Sequence, residues 1–222
     1  MFRPLKPPLG LVLAALVMFA GCATHLREPA NLQPHKAELR RYVESGEYLA
    51  DIAVVAEQAK AWIKQRAAAR RPGERLCVVM DLDETLLFNW PEILAADFAY
   101  DPVRWDAWVA EASVTAIQPS REIFETARAH GVEIVFLTGR RVATRKSTEE
   151  NLRRIGCAEY AALILRPAAA TGTAAAFKTS MRKKLNDEGR VIIANVGDQP
   201  SDLSGGFAER AFKLPDPFYL TE

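Results

Sequence analysis

The chain has 222 residues, of which 49% are hydrophobic and 26% are charged, as in an ordinary globular protein with one well-buried domain. Its 29 basic and 28 acidic residues nearly cancel. No broad charge imbalance therefore favours a nucleic-acid polymer or an anionic membrane surface, and we expect no nucleic-acid partner.

The first 22 residues carry the features of an export signal. Arg3 and Lys6 precede an apolar run, residues 9–21, that stops at Cys22. The run of about 13 residues is shorter than the roughly 20 that a membrane-spanning helix needs. The sequence FAGC is also similar to a bacterial lipobox, in which cleavage precedes a cysteine that carries lipid. We predict a lipoprotein signal peptide over residues 1–21 and lipid on Cys22, with an uncleaved inner-membrane anchor as the alternative.

The segment that follows is polar and contains prolines, so we predict a tether over residues 22–36. This N-terminus predicts a protein of the bacterial cell envelope, anchored by lipid and facing the periplasm or the surface. In that oxidising compartment Cys77 and Cys157 allow either a disulfide or two buried thiols, and the apolar strand around Cys77 favours the thiol. The three histidines show no metal-ligand spacing.

The rest of the chain alternates helical and strand-like patterns. A helical pattern over residues 35–70 ends at Pro72-Gly73. Four short apolar runs read as strands, and three amphipathic stretches that each close on a glycine read as helices between them. The predicted strands are residues 76–80, 132–138, 161–166 and 191–197, and the predicted helices are 121–131, 144–156 and 177–189. This alternation predicts an α/β fold, a Rossmann-like parallel sheet with helices on both faces.

One long interval interrupts the alternation. About 35 residues lie between Asp83 and Pro119, more than a simple connection requires, so we predict a small inserted helical cap over residues 88–118. Its aromatic side chains either form the cap's own core or provide a stacking wall for a flat substrate group such as a base. The candidates for stacking are Trp90, Trp105 and Trp108.

Polar side chains follow three of the predicted strands. Asp81 and Asp83 end the first, Thr138 ends the second, and Asp198 ends the last, with Asp202 four residues further on. The carboxyl ends of parallel strands meet at one edge of the sheet, where ligands bind. Converging carboxylates repel one another unless a cation lies among them, and an all-oxygen set suits Mg²⁺. The sequence therefore predicts a magnesium site.

Four segments together carry a resemblance: VVMDLDETLL, FLTGR, FKTSMRKKL and NVGDQPSDL. They resemble the four motifs of the haloacid dehalogenase (HAD) superfamily, and most of all its acid phosphatase branch, which includes bacterial outer-membrane lipoprotein phosphatases and plant vegetative storage proteins. The similarity begins near residue 37, so residues 37–222 would form the phosphatase domain. The resemblance implies a Mg²⁺-dependent acid phosphomonoesterase for small organic phosphate esters, with 5′-nucleotides among the candidates. It also implies that the lipid anchor lies in the outer membrane.

The resemblance also implies roles for single residues. Asp81 would be the nucleophile that forms an aspartyl-phosphate, although a purely metal-binding role needs the same position. Asp83 would protonate the leaving group and then activate water. Asp81, Asp198 and the backbone carbonyl of Asp83 would bind Mg²⁺. Thr138 and Lys178 would hold the phosphoryl oxygens.

Some roles stay open. Asp202 is expected behind the metal ligands, holding water or Lys178. The basic residues 182–184 are expected on a solvated helix face. Arg140 has no derived role, and a salt bridge at a helix start is its structural alternative. The function has two alternatives as well, a non-catalytic storage or ligand-binding lipoprotein and a phosphotransferase. The sequence leaves the oligomeric state undetermined.

Overall fold

The structure is a computed structural model, and it describes residues 29–221. That part of the chain contains five strands: β1 (Arg75–Met80), β2 (Glu133–Arg141), β3 (Ala162–Arg166), β4 (Arg190–Gly197) and β5 (Ala211–Lys213). They form one sheet in the order β3-β2-β1-β4-β5, and every neighbouring pair is parallel. The prediction of a parallel α/β fold is confirmed.

Eight α-helices accompany the strands within residues 29–221. They are α1 (Leu32–Glu44), α2 (Glu47–Ala68), α3 (Trp90–Ala95), α4 (Pro102–Glu111), α5 (Gln118–Ala129), α6 (Arg145–Arg154), α7 (Ala174–Asp187) and α8 (Pro200–Leu203). The two short helices α3 and α4 lie between β1 and α5, where the sequence predicted an inserted helical cap.

The sheet is covered on both faces, which explains its continuously apolar strands. Val78 and Met80 of β1 join a large core cluster with residues of α2 and α5. Cys77 and Val79, which alternate with them, join a second cluster with α7. Successive side chains of a strand point to opposite faces, so a strand buried on both sides loses the alternation of polar and apolar residues. Each aliphatic side chain buried in this way contributes roughly 1.5–3 kcal/mol.

The N-terminal helical segment differs from its prediction in two ways. The predicted continuous helix is two helices, because Gly46 adopts a left-handed conformation with φ of 86° between α1 and α2. The first of them begins at Leu32, so the predicted tether of residues 22–36 is too long at its C-terminal end. Pro34 is compatible with this earlier start because a proline in the first turn of a helix leaves no hydrogen bond unmade.

The strands also extend beyond their predicted ends. β2 continues through the polar residues Gly139, Arg140 and Arg141, which no apolar pattern marks as a strand. The edge strand β5 has three residues and escaped prediction, because so short a segment shows no periodicity. The helix α7 begins three residues earlier than predicted, where the side chain of Thr173 accepts a hydrogen bond from the amide of Ala176.

Both cysteines in the described residues are free and buried, so the disulfide alternative is wrong. Cys77 and Cys157 belong to different core clusters. Burial raises the pKa of Cys77 to about 12 and that of Cys157 to about 11. The predicted signal peptide and Cys22 lie outside the described residues. Within residues 29–221, none of the helices has the length and apolar character that crossing a membrane requires.

Candidate active site

The chain leaves β1 through a tight reversal that places two aspartates at the edge of the sheet. The amide of Leu87 donates to the carbonyl of Leu82 at 2.7 Å, and both leucines are fully buried. Glu84 takes a left-handed conformation, with φ of 53°, inside this turn. The buried leucines hold the turn against the core, so Asp81 and Asp83 project into the same cavity.

A buried lysine meets the first of these aspartates. Lys178 extends from α7, and its Nζ donates to Asp81 Oδ1 at 2.7 Å and to Asp202 Oδ1. All three side chains are buried. Burial alone would lower the pKa of Lys178, but the two carboxylates outweigh it and raise that pKa. The lysine is therefore a fixed positive charge beside Asp81.

The three aspartates Asp81, Asp198 and Asp202 converge, each with an oxygen atom within 4.8 Å of the others. Burial is the main reason that the pKa values of Asp81 and Asp198 lie well above the usual range, and the charge of Asp202 raises both further. Lys178 offsets only part of this negative charge. An all-oxygen set of this kind fits a hard divalent cation such as Mg²⁺. The side chain of Asp83, a predicted ligand through its carbonyl, is not in this group.

Hydrogen bonds orient the carboxylates of Asp198 and Asp202. Thr85 donates to Asp198 Oδ1 at 2.8 Å, and Gln199 Nε2 donates to Asp198 Oδ2 at 2.7 Å. Both oxygens of Asp202 are engaged, one by Lys178 and the other by the amide of Gln199 at 2.8 Å. A Cβ on residue 197 would lie 2.4 Å from the Asp202 side chain, so only glycine fits there. Asp202 thus acts as a support for Lys178.

Asp83 is held by partners of its own. Arg140 contacts it through Nε, at 3.1 and 3.0 Å from the two carboxylate oxygens, and through Nη2, at 2.6 Å. Asn89 donates a further hydrogen bond at 3.0 Å. Arg140 is 4% exposed. Burial opposes the charge of this guanidinium, but the carboxylate of Asp83 outweighs that effect and raises the pKa of Arg140. The open question about Arg140 is thereby answered: it pairs with Asp83 rather than with a helix start. Arg140 lies two residues after Thr138 on β2, and side chains two apart on a strand share a face. This spacing was the signal in the sequence that Arg140 belongs to the site.

These groups line a cavity of about 500 Å³ between the sheet edge and the cap. Thr138 is almost fully buried, and its hydroxyl oxygen accepts a hydrogen bond from the amide of Arg140 at 3.0 Å. The predicted catalytic, phosphate-binding and metal-binding residues all line this one cavity: Asp81, Asp83, Thr138, Lys178, Asp198 and Asp202.

The tryptophans predicted to stack on substrate lie in different environments. Trp105 lines the cavity and lies near Tyr100, with ring centroids 6.5 Å apart. Trp90 does not line it, since this side chain is 8% exposed and packs against Phe98 and Phe218. The stacking hypothesis is therefore corrected for Trp90, which belongs to the core.

Trp108 also lies outside the lining of the cavity. Its Nε1 donates to Asn89 Oδ1 at 2.9 Å, and Asn89 in turn donates to Asp83. Because an indole N–H can only donate, this bond fixes which end of the Asn89 amide faces the aspartate. Trp108 is thus a support for Asp83 and not a substrate wall.

One basic residue of α7 contradicts its prediction. Arg182 is fully buried, whereas Lys183 is exposed and pairs with Asp187 at 2.7 Å. The guanidinium of Arg182 donates to three backbone carbonyls in the loop that follows Asp202, those of Asp202, Ser204 and Gly206. The predicted solvated face holds for Lys183 but is wrong for Arg182, which ties α7 to this loop.

The C-terminal segment closes one side of the cavity, a feature that the sequence analysis missed. Tyr219 donates its hydroxyl to the buried Glu84 at 2.7 Å. Gln199 donates to Asp216 at 2.5 Å and accepts from the amide of Thr221 at 3.0 Å. Burial raises the pKa of Glu84 well above its usual range. These bonds attach the last residues of the described chain to the turns that carry the catalytic groups.

The sequence of this chain is similar to those of known proteins. The family model described as HAD superfamily, subfamily IIIB (acid phosphatase), matches residues 22–222. Acid phosphatase 1 of Solanum lycopersicum is 32% identical over 204 residues, covering 89% of this chain and 74% of the relative. The stem 28 kDa glycoprotein of Glycine max is 30% identical over 190 residues, covering 82% and 73%.

Solved structures share the fold. The class C acid phosphatase from Bacillus anthracis with tungstate bound superposes with a TM-score of 0.70 at 21% identity, covering 85% of this chain and 86% of that chain. Another structure of that enzyme gives a TM-score of 0.68 at 23% identity, with 85% of both chains covered.

Proposed function

The chain belongs to subfamily IIIB of the HAD superfamily, the acid phosphatases, and on that basis we propose that it is a Mg²⁺-dependent phosphomonoesterase for small organic phosphate esters. The observation that carries the proposal is the pairing of Lys178 with Asp81 where Asp198 and Asp202 converge. A nucleophile, a fixed cation and a cluster suited to a divalent ion thus share one cavity.

Asp81 attacks the phosphorus of the ester, and the bond from phosphorus to the leaving oxygen breaks as the aspartyl-phosphate forms. Lys178 lies 2.7 Å from this carboxylate, so its charge stabilises the negative charge on the phosphoryl oxygens. The hydroxyl oxygen of Thr138 already accepts from the amide of Arg140. Its proton is therefore free to be donated to a phosphoryl oxygen.

Asp83 transfers the protons of the reaction. In its protonated form it donates to the leaving oxygen, and as a carboxylate it then takes a proton from the water that attacks the aspartyl-phosphate. Arg140 and Asn89 hold the carboxyl group in one orientation through both steps. Water's oxygen ends in inorganic phosphate, and Asp81 is regenerated.

Asp81, Asp198 and the backbone carbonyl of Asp83 would hold Mg²⁺, with Asp202 behind them as the partner of Lys178. When bound, the ion neutralises charge on the phosphate and on the carboxylates. Thr85 and Gln199 orient Asp198 toward that role through their hydrogen bonds.

A second candidate is a non-catalytic storage protein. Vegetative storage protein 2 of Arabidopsis thaliana is 31% identical over 147 residues, covering 64% of this chain and 55% of the relative. Catalysis is favoured because Asp81 is present together with Lys178, Asp83 and Asp198 in one arrangement. A storage role alone would not require a buried lysine beside a buried aspartate, an arrangement that is costly to fold.

The lipid anchor also remains our proposal. Its support is the N-terminal sequence, with Arg3 and Lys6 before a short apolar run that ends at Cys22. A lipid there would hold the phosphatase in the bacterial envelope, facing the periplasm or the surface.

The proposed function is tested by assaying a panel of phosphate esters, with and without metal, between pH 4 and 8. The panel contains p-nitrophenyl phosphate, glycerol phosphate and 5′-nucleotides, the last because Trp105 and Tyr219 line the cavity. We expect EDTA to abolish turnover and added Mg²⁺ to restore it, because the carboxylate cluster requires a cation. Full activity in excess chelator would contradict the metal requirement, and no turnover of any ester would favour the storage role.

A further inference from the structure

Two arginines stand side by side at the edge of the cavity. Arg141 is the last residue of β2 and Arg166 is the last of β3, and the two are partners in the register of these parallel strands. Neighbouring strands lie about 4.8 Å apart, so the two side chains begin close together. Both residues line the cavity, and no role in the proposed reaction uses either of them.

Neither arginine is neutralised by an acid. Across residues 29–221, no carboxylate forms an ion pair with Arg141 or Arg166. Arg166 donates to the carbonyl of Gly172 at 2.5 Å, which fixes its guanidinium, and Arg141 is exposed. Nearby arginines differ: Arg140 pairs with Asp83, and Arg145 pairs with Glu149. Two adjacent unpaired guanidinium groups repel each other and gain from an anion between them.

We propose that Arg141 and Arg166 form a second anion subsite, and that the preferred substrates carry a phosphate or carboxylate in addition to the phosphate that is hydrolysed. Arg141 lies three residues beyond Thr138 along β2. Three extended residues span at most about 10 Å, so the two anionic groups of the substrate are separated by a distance on that order. A sugar bisphosphate has this size and charge. The inference rests on the phosphatase function proposed above.

The acids on the cap wall do not take the place of such an anion. Glu92 pairs with Arg104 at 2.5 Å, and Asp101 accepts from two amides at the start of α4. Asp106 also lines the cavity and has no ion pair within the described chain. The cap wall therefore carries acidic side chains, whereas the part of the sheet wall at Arg141 and Arg166 is basic, and this difference directs a distal anion to the arginines.

The experiment compares two esters that differ in the second anion alone, fructose 6-phosphate and fructose 1,6-bisphosphate. Full-length protein is assayed for phosphate release, as wild type and as the Arg141→Gln/Arg166→Gln double variant. We expect the double variant to raise KM for the bisphosphate roughly 10-fold or more, since hydrogen bonds between charged groups are lost. KM for the monophosphate should stay within about twofold.

The control variant is Arg41→Gln. Arg41 is exposed on α1 and does not line the active-site cavity. Its substitution therefore removes a positive charge without changing the subsite. Both of its KM values should match those of the wild type. Equal KM changes for the two esters in the double variant, or no change for either, would overturn the proposal.

A binding measurement separates this inference from the proposed function. Fructose 1,6-bisphosphate is titrated calorimetrically into Asp81→Asn protein, with and without the two arginine substitutions. We expect about 10-fold weaker binding without the arginines. If wild-type protein hydrolyses neither these two esters nor any ester of the panel above, the proposed function fails, while this titration still decides the subsite. Equal affinity of the bisphosphate for the Asp81→Asn protein with and without the arginine substitutions would contradict the anion subsite.

Discussion

At the level of single side chains, the pairing of Arg140 with Asp83 explains how an acid–base group can be held inside a mostly buried cavity. Two guanidinium nitrogens of Arg140 and the side-chain amide of Asn89 donate to the Asp83 carboxylate. A planar guanidinium fixes the orientation of a carboxylate as well as its charge, which an ammonium group cannot do. Arg140 is therefore a positioning residue for proton transfer.

Arg140→Lys tests this role. The variant keeps the charge but loses the paired contact, so we expect kcat for p-nitrophenyl phosphate to fall roughly 10- to 100-fold while KM changes less. Steady-state kinetics measures both constants, and the thermal unfolding curve checks the fold. Arg153→Lys, at an exposed position on α6, is the matched control. If KM rose while kcat stayed the same, Arg140 would be a substrate-binding residue instead.

At the level of helices and strands, α7 carries side chains that contact two parts of the site, the catalytic Asp81 and the loop that follows Asp202. Lys178 and Arg182 lie one turn apart on its buried face. The first contacts the catalytic aspartate, and the second donates to carbonyls of the loop that follows Asp202. Residues four apart on a helix share one face, so a single helix orientation satisfies both contacts. Both contacts therefore fix the orientation of α7.

Arg182→Leu should destabilise the protein by about 3 kcal/mol, because three backbone carbonyls, among them the buried carbonyl of Asp202, lose a charged donor. The exposed neighbour Lys183→Leu should change the free energy of unfolding by less than about 0.5 kcal/mol. Urea denaturation of both variants measures the difference. Similar stabilities for the two variants would mean that the hydrogen bonds of Arg182 contribute little.

At the level of the molecule, the sequence predicts what is periodic or apolar and misses what depends on distant contacts. The four longer strands are visible because strands buried on two faces give apolar runs, and the cap is visible because about 35 residues separate Asp83 from Pro119. The burial of Arg182 is not, because a charged residue in a helix is usually solvated. The contact of Tyr219 with Glu84 joins positions 135 residues apart, and no local pattern announces it. The site residues that end strands were predictable, and so was Asp202 as a partner of Lys178, whereas the supporting roles of Asn89, Trp108 and Arg182 were not.

The anchoring of the whole molecule is tested by Cys22→Ser. Without the thiol that would carry lipid, the protein should leave the membrane fraction and appear in the soluble fraction of the envelope. Immunoblots of fractionated cells measure this, with Cys77→Ser as the control because Cys77 is buried in the core. Continued membrane retention of Cys22→Ser would indicate an uncleaved anchor.

The central claim is that the carboxylate of Asp81 bonds to phosphorus. Borohydride reduces an aspartyl-phosphate to homoserine, so the most direct measurement is to quench the enzyme with borohydride during turnover and sequence its peptides by tandem mass spectrometry. We predict homoserine at position 81, in samples that contain substrate and Mg²⁺ and in no others. Active enzyme with an unmodified position 81, or with the modification at Asp83 or Asp198, would contradict the account.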